Sequence, residues 1–157
     1  PMEQAMKLSQ IPSDVGDDQS DLVDSLLCIQ SIERALEARV GELVQSRLMD
    51  DLGCVFCILD KAMTDVEKLT RKHFGRGKVD VDAAVWIHDS LRSALALARA
   101  LRDHVCSLLE GGSRREVERL FAVLTSMLAW EAARFKAIDD GRASPPSVVQ
   151  PIRQEVA

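Results

Sequence analysis

Tyrosine is absent from this chain of 157 residues, and the aromatic share is only 4%. A core without aromatic bulk must be filled by Leu, Ala, Val and Ile, a composition that favours helices over sheets. No run of about 18 consecutive apolar residues occurs, so no membrane-spanning helix is expected. The N-terminus lacks the basic, apolar, small-residue order of a signal peptide, which points to a cytoplasmic protein with no membrane partner. A basic excess is missing too, because the formal net charge is −5. Binding to nucleic acid needs Lys and Arg to displace counterions from phosphate, so no nucleic-acid partner is expected.

Hydrophobic residues at 46% and charged residues at 29% give the balance of a globular chain, and its length suits one core rather than two. The acidity is local. Residues 1 to 25 hold Glu3, Asp14, Asp17, Asp18, Asp21 and Asp24 against Lys7, which leaves the remainder neutral. Four cysteines, Cys28, Cys54, Cys57 and Cys106, are scattered among core-forming residues and do not resemble a disulfide framework. Reduced thiols are expected.

Residues 1–19, with Pro12, Gly16 and the acidic cluster, read as a flexible N-terminal segment, and residues 20–140 as a helical bundle domain. Leu22, Ser25, Leu26, Ile29, Ile32, Leu36, Val40 and Leu43 form one apolar stripe; Leu48, Leu52, Val55, Leu59, Met63, Val66 and His73 form another. In a single unbroken helix the second stripe would lie roughly 110° round from the first. A break between Ser46 and Asp51 is therefore expected, with Asp50 or Asp51 as N-cap, although one long helix meeting different partners along its length has the same phase. Gly75 should end the second helix, with Lys68, Arg71 and Lys72 near its end. Asp80 or Asp82 should cap a third helix that runs to about Glu110. Gly111 and Gly112 read as its stop, and Ser113 to Glu116 as a capping box for a fourth helix that ends near Asp139. Residues 141–157 carry three prolines and read as a C-terminal tail. Short connections between four helices predict an all-α, up-down antiparallel four-helix bundle.

The stretch His88-Asp-Ser-Leu-Arg-Ser-Ala-Leu95 resembles the phosphoacceptor box of sensor histidine kinases, with His88, Asp89, Leu91 and Leu95 as its strongest matches. The resemblance implies that His88 accepts phosphate on a helix of a dimerisation bundle. It covers only those residues, and the chain has neither the glycine-rich motifs nor the room for an ATP-binding domain. Without them His88 reads as an edge histidine beside Leu91 and Leu95.

Cys54-Val-Phe-Cys57 is the second candidate, as half of a zinc site or a redox dithiol, with Lys61 one turn further on. No second Cys-x-x-Cys accompanies it, and both thiols should point away from the apolar stripe. Glu33, Arg102 and Glu131 fall inside apolar stripes and suggest a buried ion pair of Arg102 with one of the two glutamates. The chain has no Glu-x-x-His, which removes the ordinary di-iron bundle site. Lys68, Arg71, Lys72, Arg76 and Lys78 form the one basic patch, able to dock an acidic partner. The third helix has a wide apolar arc, and its alanines at 94, 96, 98 and 100 would let another helix approach.

No nucleophile with a base, metal constellation or phosphate loop is legible, so no enzyme, cofactor or small-molecule substrate is expected. The sequence reads as a helical protein–protein interaction module, an adaptor, chaperone or regulator. Its expected partner is a second copy, met through Trp86, Leu97 and Ala100 or through Cys54, Cys57 and Lys61.

Overall fold

The computed structural model describes the backbone of residues 2–75 and 78–141, with side chains described within 20–75 and 80–141. Four helices dominate: α1 (Met2–Leu43), α2 (Ser46–His73), α3 (Val81–Leu108) and α4 (Gly111–Asp139). Among the described residues the one extended pairing is a two-residue antiparallel bridge, β1 (Phe74–Gly75) with β2 (Lys78–Val79), in which Phe74 stands opposite Val79. The fold is all-α and its helices form a bundle.

α1 begins at Met2, so it takes in residues 2–19 of the expected lead-in as well as the first apolar stripe. No helix end occurs near Ser20, and the stretch Gln19 to Leu26 holds no glycine or proline that would make one. Of the expected C-terminal tail, only Gly141 lies within the described residues.

The break between α1 and α2 exists, but earlier than the acidic residues suggest. Val44 still donates to the Val40 carbonyl at 3.0 Å, and the extended Gln45 then accepts from Leu48 and Met49 at 2.9 and 3.1 Å. Gln45 is the N-cap and forms no side-chain cap bond; Asp50 and Asp51 lie inside α2, exposed. Packing chooses the corner: Val44 and Met49 rest on the core, and a β-carbon at Gly41 would stand 3.7 Å from Met49 Cε.

At the next corner α2 stops at His73, and Gly75 has φ 128, a left-handed value that side chains resist. Asp80 caps α3 as expected. Its Oδ1 accepts from the Ala83 amide at 3.1 Å while Oδ2 meets His73 Nδ1 at 2.7 Å, tying the end of α2 to the start of α3. The Ala83 amide, followed by His73, holds the Asp80 carboxyl below its ordinary range. Between α3 and α4 only Leu109 and Glu110 intervene, with Leu109 buried. Gly111 and Gly112 are the first residues of α4 rather than a stop after α3, and Gly111 makes the turn at φ 61. Ser113 is thus interior to α4 and makes no capping box; Glu116 instead binds Arg39 of α1 through two bonds of 2.9 Å.

α3 and α4 form the most extensive helix pair, followed by α1 with α2, α2 with α3, and α1 with α4. Leu26, Ile29 and Leu36 of α1 close against Leu59 and Met63 of α2, Ile87 and Leu91 of α3, and Leu124 and Leu128 of α4 in one continuous core. Phe56, Phe121 and Phe135 are fully buried, and Phe74 meets Phe135 edge to face at 5.6 Å between ring centroids. The few aromatics present therefore sit mainly inside. Phe56 lies outside the stripe read from the sequence, in which Val55 held its place; Val55 is only partly buried. Replacing Phe56 by alanine is expected to cost about 3–5 kcal/mol, measured by urea denaturation.

Candidate functional site

The outer face of α3 begins with Val81, Val85 and Trp86, all exposed, and Trp86 is 71% open to water. Ala96 and Ala100 continue that face and are also exposed. Leu97 rests partly buried against the core, and Ala94 and Ala98 are buried within it. The wide arc seen in the sequence thus divides into a core side and an outward side. Trp86 and Ala100 belong to the outward one.

His88 sits at the boundary between them, partly buried, with Nδ1 2.7 Å from the Ala132 carbonyl of α4. A carbonyl can only accept, so Nδ1 carries the proton and donates it. In a neutral ring that leaves the lone pair on Nε2. The bond anchors α3 to α4 and fixes the ring, while Asp89 beside it is exposed.

Arg102 does not enter the core. Its guanidinium reaches Asp103 at 3.0 Å with the side chain 36% exposed, because its long aliphatic stem lets the charge reach water from an apolar stripe. The expected pair of Arg102 with Glu33 or Glu131 is therefore absent. Glu131 is fully buried and finds its cation one turn along its own helix, in Arg134 at 3.3 Å. Burial raises the Glu131 carboxyl, against the opposing effects of Arg134 and of a hydrogen bond from Ser25 of α1. Arg134 also lies over the Trp130 ring, 5.1 Å from its centroid. Trp130 Nε1 and Glu131 Oε2 are buried without hydrogen-bond partners.

Glu33 is the most unusual group in the molecule. It is fully buried at the α1–α2 seam, and neither carboxyl oxygen has a hydrogen-bond donor. Its pKa is pushed up to about 8, first by burial, then by the charges of Asp60 and Glu37 and a hydrogen bond toward Asp60, with Arg34 opposing. The same seam is crossed by Gln30 to Thr64 at 2.8 Å and Arg34 to Asp60 at 3.1 Å.

Cys54 and Cys57 are exposed on the outside of α2, as their spacing suggests, with Lys61 and the 61% exposed Ile58 alongside. Cys28 is exposed as well, whereas Cys106 is buried and its thiol is pushed up chiefly by that burial. Among the described residues no group of three or more His, Cys, Asp or Glu side chains is placed to hold a metal ion. Nor, among them, is any helix long and apolar enough to cross a membrane. Lys68 and Lys72 of the basic patch are exposed, and Arg71 is bonded to Glu67. Arg76 and the Lys78 side chain lie outside the described residues. A shallow groove of about 560 Å³ runs along α4, lined by Gly112, Arg115, Glu116, Arg119, Leu120 and Val123.

No protein-family model, curated protein or solved structure matches the chain. The described residues thus offer two chemical settings: exposed hydrophobic side chains on the outer sides of α3 and α2, among charged neighbours such as Asp89, Arg92 and Lys61, and two buried carboxyls in the core.

Several participants escaped the sequence reading. Arg134, three residues after Glu131, was open to recognition as an i, i+3 partner. Asp60 and Thr64 were not, since their roles depend on how α2 slides against α1.

Removing the cation beside Glu131 leaves a buried carboxyl uncompensated. Arg134→Met is expected to cost about 3 kcal/mol at pH 7. The folded pKa of Glu131 lies above its unfolded value, so its favourable contribution is complete below the unfolded value and is lost as pH rises. Loss of Arg134 extends that fall to higher pH. Urea denaturation should therefore find a smaller deficit at pH 5 than at pH 7.

Proposed function

We propose that the chain is a helical-bundle protein–protein interaction module, an adaptor, chaperone or regulator of the cytoplasm, that recognises a second copy of itself through the outer face of α3. The observation that carries this reading is Trp86, 71% exposed beside the exposed Val81 and Val85. Large aromatic rings exposed on a monomer and buried on association supply much of the binding energy of protein interfaces. Ala96 and Ala100, further along, leave room for a close helix. Recognition, not catalysis, is the role proposed.

The proposed bundle runs alternately up and down. What supports this is the slide of the cross-helix pairs: four residues forward on α1, from Gln30 to Arg34, the partner on α2 moves four back, from Thr64 to Asp60. Between α1 and α4 the partner likewise retreats, from Glu131 at Ser25 to Glu116 at Arg39. In that arrangement α3 turns a whole face outward along its length.

A second surface, Cys54, Cys57, Ile58 and Lys61 on α2, could receive the partner in place of α3. It has one exposed aliphatic side chain and no ring, so the α3 face is preferred; a metal or redox role for its dithiol is the further use proposed for it. A different reading, phosphotransfer through His88, is favoured by one observation: the bond from Nδ1 to the Ala132 carbonyl leaves Nε2 as the nucleophile. It requires acid-labile phosphate on His88.

Light scattering of the full chain is expected to show its mass rise from one chain to two with concentration. Trp86→Ala should weaken association by about 2 kcal/mol, roughly 30-fold in Kd, with helix content unchanged. A monomer at every concentration, or an undisturbed dimer in the variant, contradicts the α3 interface.

A further inference from the structure

Glu33 lies in the core on α1 with both carboxyl oxygens lacking a donor, and across the seam Asp60 of α2 is bonded at 3.1 Å to the adjacent residue, Arg34, which brings its negative charge close to Glu33. Two ionised carboxylates can only accept hydrogen bonds, so no bond can join them. A single proton changes that, because a protonated Glu33 donates and Asp60 accepts. We propose that Glu33 and Asp60 form a one-proton site in the α1–α2 seam, and that loss of this proton weakens the attachment of α1 to α2.

The surrounding charges favour retention of the proton. Glu37, one turn along α1, adds a second negative charge, and Arg34, which opposes, is itself engaged with Asp60 at the exposed edge of the seam. On α4 the charged groups that reach α1 do so elsewhere along it, Glu116 at Arg39 and Glu131 at Ser25. β1, also packed on α1, consists of Phe74 and Gly75 and brings no titratable side chain. Asp60 is bonded to Arg34, whereas no donor meets either oxygen of Glu33, so the proposed proton is placed on Glu33.

The direction of the pH effect follows. Glu33 in the unfolded chain releases its proton near 4.5, whereas in the folded chain it holds it to about 8. The folded form binds more protons between these values, so its advantage is complete below 4.5 and falls as pH rises, by about tenfold in the folded-to-unfolded ratio per pH unit. Above the upper value the loss is complete. The bundle then holds two facing carboxylates across a seam that Gln30 and Thr64 still bridge.

The test compares urea stability of the full chain with that of Glu33→Gln from pH 4.5 to pH 8.5. Glutamine keeps the shape and cannot ionise. The variant is expected to gain on the parent by about tenfold per pH unit up to about pH 8, starting from near parity at the acid end. Glu131 is present in both proteins, so its titration drops out of the comparison. Parallel pH profiles would overturn the proposal. Should Glu33→Gln not fold, carbon-13 titration of the Glu33 carboxyl in the parent decides, alongside Asp60→Asn. The site requires a midpoint near 8 in the parent and a lower one in Asp60→Asn; an ordinary carboxylate midpoint in the parent, or no shift in the variant, overturns it.

Discussion

Leu26, Leu36, Leu59, Met63, Leu91, Leu124 and Leu128 are closed to water from four different helices, and the rest of the structure depends on that shared aliphatic seam. Burying one such side chain is worth about 1.5–3 kcal/mol. The gain exists only while every helix stays in place, because each stripe has only the others to cover it. That condition fixes where the chain turns. The corner between α1 and α2 falls where Met49 can lie over Gly41 and Val44 can reach the core, and the corner after α3 falls where Leu109 can be buried.

The same seam determines what polar groups inside it can do. Thr70 and Thr125 are buried at little expense, since their hydroxyls donate to the Val66 and Phe121 carbonyls of their own helices. A carboxylate has no such local remedy and can only accept. Glu131 recruits Arg134 from the next turn; Glu33 stands against Asp60 and lacks a donor. Two groups that look alike in an apolar stripe therefore have opposite neighbours, one a cation and the other an acid. The proposed one-proton site at Glu33 thus adds to Glu131 a second place where pH acts on the fold.

Helical period was enough to read the all-α class, the apolar sides of α1 and α3 and the need for a break between the first two stripes, though it put that break between Ser46 and Asp51 rather than at Val44 and Gln45. It fails where packing rather than period decides. Phe56 is inside because the buried side of α2 is turned slightly from the stripe that includes Val55, while Leu48, in the first turn of α2, is exposed although it shares the angle of the buried Val66. Gly111 and Gly112 resemble a stop, yet the two-residue turn before them leaves them to open α4. Arg102 lies in a stripe by angle and in water by length, a distinction that a helical wheel does not make. The seam partners of Glu33 depend on register between helices, which no single helix encodes. Trp86, by contrast, was legible as a member of α3's wide arc, and its exposure assigns it to the outer side.

Outside the seam, Trp86 is the most exposed large hydrophobic side chain among the described residues, and the proposed self-recognition rests on it. The most direct measurement is acrylamide quenching of tryptophan fluorescence in a Trp130→Phe protein, which leaves Trp86 as the sole emitter, followed over a wide range of protein concentration. If α3 receives a second copy, the ring is readily quenched in dilute solution and becomes shielded as concentration rises. Equal quenching at every concentration would contradict that role for the α3 face, and shielding already complete at the lowest concentration would contradict an outward Trp86.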